Sequence, residues 1–224
     1  MISLPDAFFI TGTGTDVGKT LVSGILLSGL EAKYWKPIQS GAPTDTDFLK
    51  EITELPADNF WPERHVFSQP VSPHLPSSLS NTRIALTDFE LPDHPDSHLI
   101  VEGAGGLLVP LNEKDLIIDL IDYLELPVVL VALSGLGTIN HTLLSISALK
   151  ARNIPILGVV MNGEANQSNR EAIENFGSVP VIAQIERLSE LNKTTLTSAF
   201  REFFSPRTCR HLWRRRTLVH RADD

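Results

Sequence analysis

The sequence has very few of the features that mark secreted or membrane-spanning proteins. Its single cysteine, Cys209, excludes an internal disulfide framework and a cysteine-based zinc site, and is typical of proteins kept in a reducing cytosol. The longest apolar runs, such as residues 128–133, are far shorter than the ~20 residues that cross a bilayer. Residues 1–6 lack the basic and then apolar pattern of a signal peptide. We therefore expect a soluble, cytoplasmic protein without a membrane span.

Basic residues are fewer than acidic residues, and they are unevenly distributed along the chain. The chain has 19 Lys and Arg against 27 Asp and Glu, which gives a net charge of −8. Residues 201–224 contain seven Arg against three acidic residues, so the first 200 residues carry a net charge of −12. A basic face is the usual footprint of nucleic-acid binding, and the acidic body argues against that function. Residues 205–224 are interpreted as a flexible, Arg-rich C-terminal tail, although residues 214–216 would also suit an anion.

Short apolar runs alternate with longer amphipathic segments in the rest of the chain. Strands are predicted over 7–11, 33–37, 97–102, 127–133, 156–161 and 179–184, and helices over 19–30, 45–55, 116–124, 139–152, 169–176 and 194–204. Strands rich in Val, Ile and Leu that are separated by helices indicate a parallel sheet covered on both faces. The predicted fold class is therefore α/β, as one domain over residues 1–204. Residues 56–95 are rich in Pro and Ser, and no regular sheet is predicted there.

A glycine-rich loop joins the first predicted strand to the first predicted helix. Residues 11–20 read TGTGTDVGKT, and the three glycines allow a tight turn that aims backbone N–H groups at phosphate oxygens. Lys19 would reach the β- and γ-phosphates, and the Thr20 hydroxyl would bind Mg²⁺. The general motif has Gly where this chain has Thr13, so the loop is one residue longer than the standard form. In this context the segment predicts a P-loop and a P-loop NTPase fold.

Candidate metal ligands occur in two other segments. Residues 98–106 (HLIVEGAGG) are predicted to be an apolar strand that ends in Glu102, and in P-loop proteins an acid at such a position holds the metal. Asp45 and Asp47 offer a further carboxylate. The oxygen ligands Thr20, Asp47 and Glu102 would suit Mg²⁺. The competing interpretations are that Glu102 caps a turn and that Asp47 stabilises the first turn of a helix. The residues alone predict Mg-ATP-dependent phosphoryl chemistry.

From about residue 7 to about residue 190 the sequence resembles the ATP-dependent dethiobiotin synthetase family. The matching blocks are 11–20 (TGTGTDVGKT), 34–41 (YWKPIQSG), 72–74 (SPH), 101–110 (VEGAGGLLVP), 136–141 (LGTINH) and 158–162 (GVVMN). The longer P-loop is also the form found in that family. The P-loop itself is not specific to one family, whereas the second and fifth blocks make the resemblance specific.

The resemblance implies an ATP- and Mg²⁺-dependent ligase of biotin biosynthesis. The family joins CO₂ to 7,8-diaminopelargonate (7,8-diaminononanoate) and forms the ureido ring of dethiobiotin. An amine captures CO₂ as a carbamate, and the carbamate oxygen attacks the γ-phosphate of ATP to give a carbamic-phosphoric anhydride. The second amine then displaces phosphate and closes the ring. The resemblance also implies a homodimer whose two subunits share each active site.

The same resemblance assigns roles to individual residues. Lys19 and Lys36 would be catalytic, because cations are needed where the carbamate and phosphoryl charges develop. The predicted ATP-binding residues are Gly14, Thr15, Asp16, Val17, Gly18, Lys19, Thr20, Asp47, Glu102, Gly103, Ala104, Gly105 and Asn162. The predicted substrate-binding residues are Thr15, Lys36, Ser40, Gly137, Thr138, Ile139 and Asn140. The last four open a predicted helix and would come from the partner subunit; ordinary capping by Thr138 is the competing interpretation.

Other P-loop functions remain open at this point. A ParA/MinD-like ATPase would carry an additional lysine at position 14, where this chain has Gly14. A regulatory nucleotide-binding module would not need the block at residues 36–40. The chain departs from the family at Glu186, where a proline near the adenine is common, and this leaves the adenine contacts and nucleotide preference open. His74 and His141 are interpreted as structural hydrogen-bonding residues.

Overall fold

The structure, a computed structural model, describes residues 4–68 and 83–204. The described strands are β1 (Ala7–Gly12), β2 (Lys33–Trp35), β3 (Ile38–Ser40), β4 (Phe60–Trp61), β5 (His65–Phe67), β6 (Leu99–Gly106), β7 (Val128–Leu133), β8 (Ile156–Asn162) and β9 (Val181–Ile185). The described helices are α1 (Lys19–Leu30), α2 (Asp45–Thr53), α3 (Ile117–Tyr123), α4 (Thr138–Ala151), α5 (Gln167–Gly177) and α6 (Lys193–Phe203). Short 3₁₀ turns lie at Ala57–Asn59 and Leu86–Asp88. None of the helices in this part of the chain is long and apolar enough to cross a membrane.

Seven of these strands form one parallel sheet in the order β4-β2-β6-β1-β7-β8-β9. The remaining two, β3 and β5, pair with each other in parallel. In a parallel sheet all the carboxyl ends lie at one edge, so the loops that follow β1, β2 and β6 come together there. The predicted α/β fold with a mostly parallel sheet is confirmed.

Helices cover both faces of the sheet. On one face, Phe9 of β1 packs in a core with α3, α4 and α5. On the other face, its neighbours Phe8 and Ile10 pack with α1, α2 and α6. All three side chains are completely buried. Successive side chains of a strand point to opposite faces of the sheet. Because both faces are covered by helices, every residue of a central strand is buried, and the strand is a continuous apolar run.

The largest differences from the predicted elements lie near glycines and prolines. Strand β6 continues through Gly106, beyond the predicted end at residue 102. Gly103 is part of this extension, where a side chain would not fit: an added Cβ would lie 2.7 Å from the Phe9 ring. The predicted strand 33–37 ends at Trp35, and β3 starts only after Pro37. The remaining predicted elements shift by only a few residues at their ends.

The Pro-rich segment 56–95 contains some sheet, and its prediction as sheet-free was wrong in that respect. The two residues of β4 join the sheet edge beside β2, and the three residues of β5 pair with β3. Strands this short fit between the prolines because few ladder hydrogen bonds are needed at an edge. The block at residues 72–74, with His74, and the predicted tail 205–224 lie outside the described residues, so the predicted division at residue 204 stays a prediction.

Candidate active site

A cavity of about 720 Å³ opens where the P-loop, the end of β6 and the loop after β3 meet. Ligands of open α/β sheets bind at this edge. The lining residues that the sequence predicted are Thr15, Asp16, Gly18, Lys19, Thr20, Lys36, Ser40, Glu102, Ala104 and Gly105. The cavity is also lined by Asp45, which the sequence offered beside Asp47, and by five residues that it did not assign to the site: Gln39, Gly41, Ala42, Pro43 and Val109. The structure therefore gathers most of the predicted nucleotide and substrate residues around one space.

The P-loop is shaped by a close approach between two chain segments. Gly18 has a φ of 97° and precedes α1 directly. A Cβ at this position would lie 2.1 Å from the side-chain amide nitrogen of Asn162, which donates a hydrogen bond to the Val17 carbonyl at 3.0 Å. No side chain from residues 4–68 or 83–204 caps the start of α1. The first N–H groups of that helix are therefore available to an anion such as phosphate.

Three of the predicted ATP-binding residues, Val17, Gly103 and Asn162, make structural contacts within the chain. The Val17 side chain is buried in the core beside α1, and Gly103 packs on Phe9. Neither Val17 nor Gly103 is among the residues that line the cavity described above. The amide of Asn162 binds the P-loop itself. These residues therefore shape the loop and the strand end, and their contact with a nucleotide stays a prediction.

Lys19 lies against the loop that it follows. Its ammonium donates a hydrogen bond to the Gly14 carbonyl at 3.0 Å, and the residue is only 7% exposed. Burial lowers the pKa of Lys19, and the charge of Glu102 acts in the opposite direction. A partly buried ammonium beside free helix N–H groups is an arrangement that favours the negative charge of a triphosphate.

Glu102 is the centre of a buried polar cluster at the cavity wall. The residue is completely buried, and its carboxylate accepts hydrogen bonds from Thr20 (3.1 Å), Ser23 (2.5 Å), Tyr34 (3.1 Å) and Lys36 (3.0 Å). Burial alone would raise the pKa of Glu102, but the charge of Lys36 and the hydrogen bond from Ser23 outweigh it and hold the pKa below its ordinary value. The carboxylate is therefore ionised at neutral pH. This network, and not a turn cap, is what holds Glu102.

Lys36 is placed between two carboxylates. Its ammonium binds Glu102, and it also pairs with Asp45 at the start of α2. Burial alone would lower the pKa of Lys36, but the charges of Glu102 and Asp45 outweigh it, so the pKa lies above its ordinary value. The residue is 4% exposed. Lys36 therefore brings a fixed positive charge to the cavity.

Asp45, and not Asp47, is the helix α2 carboxylate at the cavity. The Asp47 side chain is exposed and lies 3.7 Å from Lys50, while its backbone N–H is capped by Thr44. Asp47 is not among the described residues that line the cavity. Its position agrees with the competing interpretation of a residue in the first turn of a helix. The sequence showed both carboxylates, but which of them faces the cavity depends on where α2 begins, because residues two apart in a helix point in nearly opposite directions.

Sequence reasoning also missed three residues that brace the site. Ser23 and Tyr34 hold Glu102, and Gln39 holds the loop after β3. The Gln39 amide donates to the Ser40 and Gly41 carbonyls, and its oxygen accepts from the Asp45 backbone. For Ser23 a signal was available, because it lies one helical turn after Lys19 and Thr20. Tyr34 and Gln39 lie in the matching block 34–41, but the sequence gave neither of them a role.

The predicted substrate residues at the start of α4 do not reach the larger cavity within this chain. Gly137 is the N-cap and has no side chain to cap the helix, so the capping role considered for Thr138 is not seen. A second, smaller cavity of about 330 Å³ lies between the P-loop and α4, where it is lined by Thr15, His141 and Leu144 among others. Residues 137–140 are absent from the described lining of both cavities.

The fold and the site define a P-loop nucleotide-binding protein, and comparisons with known proteins narrow this class. Residues 6–195 match a family model described as an AAA domain. The chain is 50% identical over 188 residues to the ATP-dependent dethiobiotin synthetase BioD of Paramagnetospirillum magneticum, covering 84% of this chain and 91% of the relative. It is 46% identical to BioD of Lawsonia intracellularis, covering 84% and 92%. The chain belongs to the ATP-dependent dethiobiotin synthetase family.

A more distant solved structure shows the same fold. The signal recognition particle receptor FtsY from Elizabethkingia anophelis, in complex with GDP, aligns with a TM-score of 0.50 at 15% identity. The alignment covers 89% of this chain and 65% of that one. At this identity the likeness supports the α/β architecture alone.

Proposed function

We infer that this protein is an ATP-dependent dethiobiotin synthetase, a ligase of biotin biosynthesis. The observation that carries the inference is the convergence of the P-loop residues Lys19 and Thr20 with Lys36 and Glu102 on one cavity. A P-loop alone fits any nucleotide hydrolase. The second lysine, Lys36, belongs to the block that a regulatory module does not need, and Gly14 stands where a ParA/MinD-like ATPase would carry a lysine. The relatives at 50% and 46% identity carry the synthetase name.

The substrates that we propose beside ATP are CO₂ and 7,8-diaminopelargonate. The carbamate formed from one amine attacks the γ-phosphorus, the bond between that phosphorus and the β–γ bridging oxygen breaks, and ADP leaves. The second amine attacks the carbamate carbon, and phosphate leaves as the ring closes. Lys19 and Lys36 are the cations of the cavity that stabilise the charge that grows in these steps. Thr15 and Ser40, both at the cavity wall, are proposed to contact the diamine.

Magnesium fits part of the predicted ligand set. The Thr20 hydroxyl and a Glu102 carboxylate oxygen lie 3.1 Å apart at the cavity wall, and both are hard oxygen donors. Within the described chain there is no group of three or more His, Cys, Asp or Glu that could hold a metal, in keeping with an ion that takes most ligands from phosphate and water. When bound, Mg²⁺ supplies charge neutralisation at the phosphates. Asp47 is proposed as the third ligand. Its side chain points to solvent, so the structure supports it less than Thr20 and Glu102.

We propose that the active protein is a homodimer with shared sites. The support is an exposed apolar surface at the smaller cavity, where the exposed side chains of Leu108 and Leu144 form part of the lining. Leu136 is fully exposed and lies directly before the uncapped start of α4. A partner subunit that covers this surface would bring residues 137–140 toward the substrate of the neighbouring P-loop, and a two-fold axis would build two equal sites.

The reaction is tested by measuring ADP release and product formation in four mixtures: ATP with Mg²⁺ alone, with bicarbonate, with the diamine, and with both. We expect ADP release and a new ureido product only in the complete mixture. ADP release that is independent of the diamine would favour a ParA/MinD-like ATPase. Nucleotide binding without turnover in any mixture would favour a regulatory module.

The shared site is tested by mixing two inactive variants. Lys19→Ala removes the phosphate-side cation, and Asn140→Arg blocks the exposed start of α4. After random subunit exchange about half of the dimers are mixed, and each mixed dimer has one site free of both defects, so about a quarter of all sites recover. If both residues served a site within one chain, confirmed subunit exchange would restore no activity.

A further inference from the structure

The two oxygens of the Glu102 carboxylate have different kinds of partner. Oε1 accepts hydrogen bonds from Thr20 and Lys36, and both of these residues line the cavity. Oε2 accepts hydrogen bonds from the hydroxyls of Ser23 and Tyr34. Ser23 and Tyr34 are completely buried and are not among the described residues that line the cavity. Oε1 therefore lies on the cavity side of the carboxylate, and Oε2 is held by two buried residues outside the cavity lining.

The two hydroxyls approach Oε2 from different elements. Ser23 projects from α1 and lies 2.5 Å away, and Tyr34 projects from β2, which pairs with β6 on the side opposite β1. The Tyr34 ring is itself fixed by an edge-on contact with Phe60, with 6.1 Å between the ring centroids. Two donors from rigid elements restrict rotation of the carboxylate about its last bond.

We propose that Ser23 and Tyr34 are positioning residues that hold Oε2 of Glu102 and so present Oε1 to Thr20, Lys36 and the Mg-nucleotide. The proposal rests on the proposed function, because Glu102 matters to nucleotide binding only if the cavity holds Mg-ATP. Neither hydroxyl touches a reacting group. Both act through the orientation of one carboxylate, as residues behind a metal ligand commonly do.

The test is the affinity for ADP, measured by calorimetry with and without Mg²⁺, for Tyr34→Phe and for Ser23→Ala. Loss of a residue that orients a metal ligand typically costs about 10–100-fold in metal affinity or activity. We expect ADP affinity in the presence of Mg²⁺ to fall by about 10-fold or more in either variant on that scale. Without Mg²⁺, ADP affinity should match the wild type, because the P-loop contacts are unchanged.

Matched controls separate positioning from general destabilisation. Tyr123→Phe removes the hydroxyl of the other tyrosine in the sequence, which is partly exposed on α3. Ser28→Ala removes another hydroxyl from α1, one that is buried and has no hydrogen-bond partner within the described residues. Both controls should keep the Mg²⁺ dependence of wild type. In a Glu102→Gln background, Tyr34→Phe should cause no further change in Mg²⁺ dependence if it acts through Glu102.

The outcomes distinguish this proposal from the proposed function. If wild-type ADP binding depends on Mg²⁺ and both variants keep that dependence, the positioning role is overturned alone. An equal loss of ADP affinity with and without Mg²⁺ would also overturn it, since that result indicates a structural role. If wild-type binding shows no Mg²⁺ dependence, the metal assignment fails and this proposal fails with it.

Discussion

Replacing Lys36 by methionine removes one charge from a buried ion pair while keeping most of the side-chain volume. Lys36 is 4% exposed, and its ammonium lies 3.0 Å from Oε1 of Glu102. Glu102 is completely buried, so Lys36→Met leaves an ionised carboxylate without its hydrogen-bonded cation. The other partner of Lys36, Asp45, has 32% of its side chain exposed and can be hydrated instead. The cost should therefore arise mainly at Glu102.

The size of the effect follows from what remains around Glu102. Removing one partner of a buried ion pair costs about 3–5 kcal/mol. Glu102 keeps three hydroxyl donors and faces a cavity that admits water, so we expect the lower end, about 3 kcal/mol. In a protein of this size one kcal/mol corresponds to about 2–4 °C, which predicts that the unfolding temperature falls by about 6–12 °C.

Thermal unfolding of the protein without nucleotide measures this effect in Lys36→Met, Glu102→Gln and the double variant. The double variant removes both charges, and we expect it to recover much of the lost stability because no uncompensated buried charge remains. Lys33→Met is the matched control on the same strand. Its partner Asp58 is 79% exposed, so its loss should cost less than about 1 kcal/mol.

If Lys36→Met unfolds at the wild-type temperature, or if its cost simply adds to that of Glu102→Gln, the two residues are not coupled as a buried pair. The double variant should remain inactive even where its stability recovers. Turnover of Lys36→Met must be measured well below its unfolding temperature, where a loss of about 10²–10³-fold is expected for removal of a charge-stabilising group.

Three further predictions concern other charged groups. Lys19→Ala should lower steady-state ADP release by about 10²–10³-fold, and near wild-type turnover would refute its role at the phosphates. Asp47→Asn should raise the Mg²⁺ concentration needed for half-maximal activity; an effect confined to Asp45→Asn would transfer the ligand role to the carboxylate that lines the cavity. Burial lowers the pKa of His65 below its ordinary 6.5 despite the nearby Asp88, so the unfolded chain takes up the proton first and stability should fall as pH drops from about 7.5 to about 5.5. His65→Phe should flatten this slope in pH-dependent unfolding, and an unchanged slope would show that another group causes it.

The sequence alone determined the parts of this protein that depend on local pattern. Apolar runs of the right length predicted the central strands, because a strand buried on both faces needs a continuous apolar segment. The spacing of glycines before Lys19 predicted the P-loop, since a tight phosphate-binding turn needs them at close intervals. An acid at the end of an apolar run marked Glu102 as a candidate metal ligand, because the P-loop gave such an acid a role. Each of these signals lies within a segment of about a dozen residues or fewer.

Only the tertiary structure decided which side chains meet around Glu102. Ser23 and Tyr34 are 79 and 68 residues away from it along the chain. Their contact exists because β6 lies between β2 and β1 in the sheet and because α1 follows β1, an order that hydrophobic periodicity does not encode. The start of α2 likewise decided that Asp45 and not Asp47 faces the cavity. Contacts of this kind depend on strand order and helix phase, and both are fixed by packing of the whole chain.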